Sequence, residues 1–132
     1  MIPVVFINCS RFPFLSWILN RSKLYETRTR DTLRALVGQR VYLAETGHGR
    51  RAIVKSSARI AYVFPVISAA AWQRLRPLYC VPSGSQYDWR PGTRIKYMYV
   101  LEDVRNVAPF PVPEGVRHGR VWMEYIPANM EV

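Results

Sequence analysis

A strand with one face made only of charges is unusual in a small domain, and this chain contains such a strand. Lys23-Leu24-Tyr25-Glu26-Thr27-Arg28-Thr29-Arg30 follows an apolar run, Phe12 to Leu19, that reads as a helix. The two-residue period of a strand puts Glu26, Arg28 and Arg30 on one face and Tyr25, Thr27 and Thr29 on the other. Ordinary half-buried strands alternate apolar with polar residues. The segment is therefore either an exposed edge or the wall of a pocket for something anionic, and the pocket is the expectation.

The charge of the whole chain points the same way. The net charge is +10, and 16 of the 19 cations are arginine, with Lys23, Lys55 and Lys96 the three lysines. Arginine binds phosphate through a planar fork and stacks on bases, so the bias favours a phosphate-bearing partner. Residues 1–80 hold 13 cations against Glu26, Asp31 and Glu45, whereas residues 81–132 hold six of each sign. A charge excess confined to one part of a chain is a pointer to nucleic acid or a membrane surface.

At 132 residues the chain is expected to form one domain with a real core. Cys9 and Cys80 have no CxxC or Cys/His spacing and read as buried thiols flanked by apolar residues. His48 and His118 read as loop residues, so no metal or cofactor is implied. No signal peptide is apparent, and no apolar run approaches the roughly 20 residues of a membrane span, so a soluble, cytoplasmic protein is expected.

In chain order, Ile2 to Ile7 reads as a buried strand. Ser10 then offers an N-cap and Pro13 a first turn for the helix ending at Leu19. A helical turn at Leu33 to Val37 stops at Gly38, and Arg40 to Glu45 reads as a strand. Thr46-Gly47-His48-Gly49-Arg50-Arg51 is a basic hairpin loop without P-loop spacing. Ala52 to Phe64 is a long strand, bulged near Ser56-Ser57 and stopped by Pro65. Ser68 caps a helix from Ala69 to about Arg76, ended by Pro77.

Residues 81–94 form a long loop whose Tyr87, Trp89 and Arg90 argue against disorder. Ile95 to Leu101 is a strand closed by a turn at Glu102-Asp103. Val104 to Val107 pairs onward, Pro109 to Pro113 is extended, and Val121 to Ile126 completes the sheet. About six strands with two or three peripheral helices, in this order, fit an α+β fold built on a small, mixed, mostly antiparallel barrel.

Arg21-Ser22-Lys23-Leu24-Tyr25-Glu26-Thr27-Arg28 resembles the GxKxxExR signature of the ASCH domain, a member of the PUA-like superfamily. Lys23, Glu26 and Arg28 match, and Arg21 stands where the family has glycine. The segment Tyr97 to Val104 and the prolines from Pro109 to Pro113 resemble the family's closing strand and proline-rich hook. The resemblance implies a PUA-like barrel with a cleft bordered by the signature and suited to RNA or a modified nucleoside. Some ASCH-like proteins are amidohydrolases on acylated cytidine, with a lysine, a threonine and a downstream glutamate. Here Lys23 aligns, Glu26 replaces the threonine, and the helix after Ser68 holds no carboxylate.

An RNA- or nucleotide-binding domain is therefore the first functional expectation. Lys23, Arg28, Arg30, Arg50 and Arg51 are its candidate phosphate contacts, and Tyr87 and Trp89 its candidate stacking rings. Tyr62 is a further stacking candidate, and Trp122, between Val121 and Met123, reads as core. The alternatives are a small hydrolase on a modified nucleoside or RNA, amidohydrolase- or ribonuclease-like, with Lys23 and Glu26 as catalytic acid-base residues, and a protein-interaction domain with a basic face.

Overall fold

The computed structural model describes residues 2–112 and 122–126, and in the last of these segments only the side chain of Trp122. Six strands form one sheet: β1 (Ile2–Asn8), β2 (Tyr25–Arg28), β3 (Arg40–Thr46), β4 (Ile53–Val66), β5 (Lys96–Pro111) and β6 (Trp122–Ile126), in the spatial order β2-β5-β4-β3-β1-β6. β1 runs parallel to β3, and the other four pairings are antiparallel. The helices are α1 (Phe14–Leu19) and α2 (Ala69–Tyr79), with a 3-10 turn at Arg34–Leu36. The mixed α+β class and the strand number follow the sequence; the closed barrel does not.

The sheet is open, with β2 and β6 as its edges among the described residues. It is nevertheless strongly curled. Four steps separate β2 from β1, about 19 Å if the sheet were flat, yet an Nη of Arg28 reaches the Phe6 carbonyl at 3.0 Å. One core cluster likewise unites Val5 and Ile7 of β1, Val41 and Leu43 of β3, Ile60 of β4 and Tyr99 and Leu101 of β5. α1 supplies Phe14, Leu15 and Ile18 to this concave core. A side chain, not a ladder, ties β2 to β1.

Four further expectations are corrected. Ser10 does not cap α1, whose N-cap is Pro13 without a side-chain bond. Pro65 does not stop β4, which continues to Val66 with Pro65 opposite Tyr97. Pro77 lies inside α2, in its last turn, instead of ending it. Glu102-Asp103 is not a turn: β5 runs on to Pro111, with Asp103 at φ 48 between two pairing registers.

Ser68 caps α2 as expected, accepting from Ala71 N at 3.1 Å. β4 is bulged, with pairing shifts at Val54/Ser56, Ser57/Arg59 and Ile60/Tyr62. Trp122 packs against the concave core. Cys9 is buried, whereas Cys80, the left-handed C-cap of α2, is only half-buried. The loop with His118, and Pro113, lie outside the described residues. No helix among those residues is long and apolar enough to cross a membrane.

Candidate functional site

The signature residues meet where β2 leaves α1. Asn20 ends the helix, and its Oδ1 accepts from Ser22 N at 2.9 Å. Arg21 takes φ 66, so the position where the family signature has glycine is indeed left-handed. The tight turn drops Lys23 into the core at 1% exposure, its backbone N–H on the Trp17 carbonyl. Its Nζ donates to the Tyr79 carbonyl at 2.6 Å and sits 5.0 Å from the centre of the Phe14 ring. The end of α2 and the face of α1 thus hold one buried ammonium between them.

Glu26, also buried, faces that ammonium at 3.7 Å through Oε1 and accepts from Arg28 Nη at 2.8 Å through Oε2. Burial pushes the Lys23 ammonium below the ordinary lysine value, and the Glu26 carboxylate pulls it part of the way back. The result is a row of alternating charge, Lys23–Glu26–Arg28, whose Arg28 end is the most exposed. Arg28 Nε is buried without a hydrogen-bond partner among the described residues. The expected Glu26–Arg28 pair is present, and Lys23 completes it from below.

Two further groups share this neighbourhood. Cys9, at the end of β1, is buried, and burial raises its thiol pKa, with Glu45 and Glu26 adding to the effect. Glu45, near the end of β3, accepts from Lys55 Nζ at 2.6 Å, and His48 Nε2 lies 3.7 Å from its other oxygen. The concave face is therefore apolar along its length and charged at one end. Cys9 is the buried thiol that the sequence implies; Glu45 could be found as a carboxylate directly opposite Ile53 and two residues from Lys55 on the neighbouring strand.

No protein-family model matches the sequence, and comparison with curated proteins gives no match. Comparison with solved structures does. The structure of ASCH from Zymomonas mobilis superposes with a TM-score of 0.75 at 16% identity, over 96% of this chain and 88% of that one. Two mutant proteins of the Zymomonas mobilis ASCH superpose at 0.74 and 17% identity, each over 94% of this chain and over 89% and 87% of theirs. The chain has the ASCH fold.

Within the ASCH fold, the remaining candidates fall into two groups. Arg30 lies beyond β2 and is exposed. Arg50 and Arg51 are exposed on the loop after β3, Arg51 donating twice to the Val112 carbonyl at 3.0 and 2.7 Å. That loop is pressed against the end of β1. Gly47, at φ 97, leaves so little room that a Cβ there would lie 2.6 Å from Asn8 Oδ1 and 2.7 Å from Ser10 N.

Tyr87 and Trp89 are half-buried, not free arms. Tyr87 meets Phe12 and Phe14 edge-on at 6.2 and 5.4 Å, which joins its loop to α1 above Lys23. Trp89 lies 6.2 Å from Trp72 of α2.

Their loop is ordered by a residue the sequence reading misses. Asp88 is buried and accepts from Trp72 Nε1 at 2.6 Å, from the backbone of Gly84 and Trp89 at 2.8 Å each, and from Arg76 at 3.0 Å. Burial alone would raise its pKa, but these donors outweigh it and hold the carboxyl at about 2. Lys96 adds a bond to the Tyr87 carbonyl at 2.6 Å while lying over Trp72. An aspartate four residues after a glycine in a turn-rich segment is the available signal for such a brace.

Proposed function

We propose that this is an ASCH-type domain that binds RNA or a nucleotide. The observation that carries the reading is an imbalance of charge at the surface. Each of the six carboxylates whose side chains are described is in an ion pair with lysine or arginine: Glu26, Asp31, Glu45, Asp88, Glu102 and Asp103. Arg11, Arg30, Arg90 and Arg94 are exposed and in no carboxylate ion pair among the described residues, and exposed Arg50 acts on Glu45 only at longer range. Arginines left over once the described acids are paired can meet phosphates.

In this reading Arg28, Arg30, Arg50 and Arg51 contact the backbone of the ligand. Tyr87 and Trp89 border the site with their half-exposed rings, and Glu26 accepts from a base amino group or orients Arg28. Lys23 at 1% exposure acts from beneath, on Glu26 rather than on a phosphate. The test is fluorescence anisotropy with single-stranded RNA, comparing wild type with an Arg30→Ala/Arg50→Ala double variant. Weaker binding by the variant supports the reading; equal binding, or none by wild type, removes it. Partners captured from nuclease-treated lysate in place of RNA would favour the protein-interaction alternative.

One observation favours a hydrolase on a modified nucleoside or RNA as the second reading. The Lys23 ammonium is buried, lowered in pKa and 3.7 Å from a carboxylate, the environment of an acid-base lysine. Turnover of acylated cytidine or RNA by wild type, lost in Lys23→Ala with its circular dichroism unchanged, supports it; turnover of neither removes it.

A further inference from the structure

The face of the sheet turned away from Lys23 and Glu26 carries an aromatic strip that the site described above does not use. Tyr25 of β2 and Tyr62 of β4 both pair with Val100 of β5, which sets the three side chains in one row across the outer face. Phe64 links them: its ring lies 5.8 Å from Tyr25, edge-on, and 6.2 Å from Tyr62, with planes 34° apart. α2 covers the adjoining part of this face, where Trp72 and Tyr79 pack with Val66 and Met98. It leaves Tyr62 at 50% exposure and Ile67, just before the helix, at 74%. These two are the exposed large apolar side chains among the described residues.

Guanidinium groups surround the strip. Arg59 shares the outer face, because Ala58 and Ile60 on either side of it point into the core. Arg59 is paired with Glu102 at 3.5 Å, both about half exposed. Arg21 is exposed at the head of β2, its Nη on the Leu101 carbonyl at 3.3 Å. Arg74 is exposed on α2, one turn before Leu78, whose carbonyl receives the N–H of Leu24 beside Tyr25. Three arginines against one carboxylate make a rim that attracts anions. The same rim, on a chain of net charge +10, opposes docking of a second copy. An exposed ring backed by others on a sheet, with cations around it, is the arrangement on which single-stranded bases stack.

We propose that the outer face around Tyr62 is a second contact for single-stranded RNA. One base stacks on Tyr62, Phe64 and Tyr25 hold that ring in place, and flanking phosphates meet Arg21, Arg59 and Arg74. The inference rests on the RNA-binding reading and extends the path of the strand around the edge at β2.

The experiment uses a fifteen-nucleotide oligouridine carrying 4-thiouridine, read by anisotropy and by the cross-linked peptide. Wild type is expected to cross-link through the Tyr62 peptide. Tyr62→Ala is expected to lose that cross-link and roughly tenfold in affinity, and Tyr62→Phe to keep both, since the ring and not the hydroxyl stacks. Tyr62 is half exposed, so its loss should leave the fold intact; unchanged thermal unfolding of the alanine variant checks this. Wild-type affinity in Tyr62→Ala, with cross-links only to residues 28–51 or 87–89, overturns this second contact and leaves the first reading standing. Absence of RNA binding by wild type overturns both. Concentration-dependent self-association that Tyr62→Ala abolishes, with RNA affinity unchanged, makes the face a contact between copies and overturns the proposal.

Discussion

Arg28 donates to Glu26 Oε2 at 2.8 Å, and the same guanidinium reaches across the open side of the sheet to the Phe6 carbonyl at 3.0 Å. One side chain therefore neutralises a buried carboxylate and fastens β2 to β1. Removing it leaves Glu26 with only Lys23, at 3.7 Å, and takes away the bond from β2 to the Phe6 carbonyl. Arg28→Ala is expected to lose about 3 kcal/mol in urea unfolding, as for a broken buried pair. Arg30→Ala, at an exposed position two residues on, should stay within about 0.5 kcal/mol. Equal effects of the two would deny Arg28 its role in closing the sheet.

Arg21 holds φ 66, a backbone state that is free of strain only for glycine. Arg21→Gly gives up the bond to the Leu101 carbonyl but relieves the backbone, and should be neutral or stabilising by up to about 1 kcal/mol. Arg21→Ala keeps the strain and loses the bond, so it should be less stable than both. Thermal unfolding of the three proteins gives the order; a glycine variant below the alanine variant contradicts it.

Asp88 braces the loop of residues 81–94 with its carboxylate form. Its folded pKa of about 2 lies below the ordinary 3.8, so its contribution is present above about pH 4 and is lost as pH falls toward 2. Asp88→Asn is expected to cost about 2 kcal/mol at pH 7. Between about pH 4 and 2 the gap between wild type and variant should close. A gap independent of pH would mean that the charge of Asp88 is not what orders the loop.

Lys23 is shifted in the same direction at the other end of the pH scale. Its folded pKa is pushed below the ordinary 10.5 by burial, so the folded state carries a charging cost at neutral pH. That cost is relieved as pH rises through the folded value toward 10.5. Measured as the difference between Lys23→Met and wild type, in which the buried tyrosines cancel, the relative stability of the methionine variant should fall as pH is raised toward about 10. A difference that does not change with pH would contradict a buried charged lysine.

How far the sequence can be read depends on the range of the interaction. The Glu26–Arg28 pair lies two residues apart on one strand and follows from the period alone. The strands and the Ser68 cap are similarly local. Lys23 is visible as a residue of interest but not as a buried one, because its acceptor, the Tyr79 carbonyl, is 56 residues away. Asp88 escapes notice because Trp72 and Arg76 approach it from another element. β5 reads as two pieces broken at Glu102-Asp103, whose polar side chains suggest a turn, whereas Asp103 is a left-handed bulge in one continuous strand. The barrel is the natural expectation from the number and mixture of strands. Closure depends on whether the two ends of the sheet meet, which no local pattern encodes.

The most direct test of the proposed function is the salt dependence of binding to single-stranded RNA. If Arg28, Arg30, Arg50 and Arg51 each meet a phosphate, these four contacts should contribute about −3 to the slope of the logarithm of the association constant against the logarithm of salt, from about −0.7 per contact. The Arg30→Ala/Arg50→Ala double variant should flatten the slope by about 1.4. Binding that is absent, or that does not change with salt, would contradict the account.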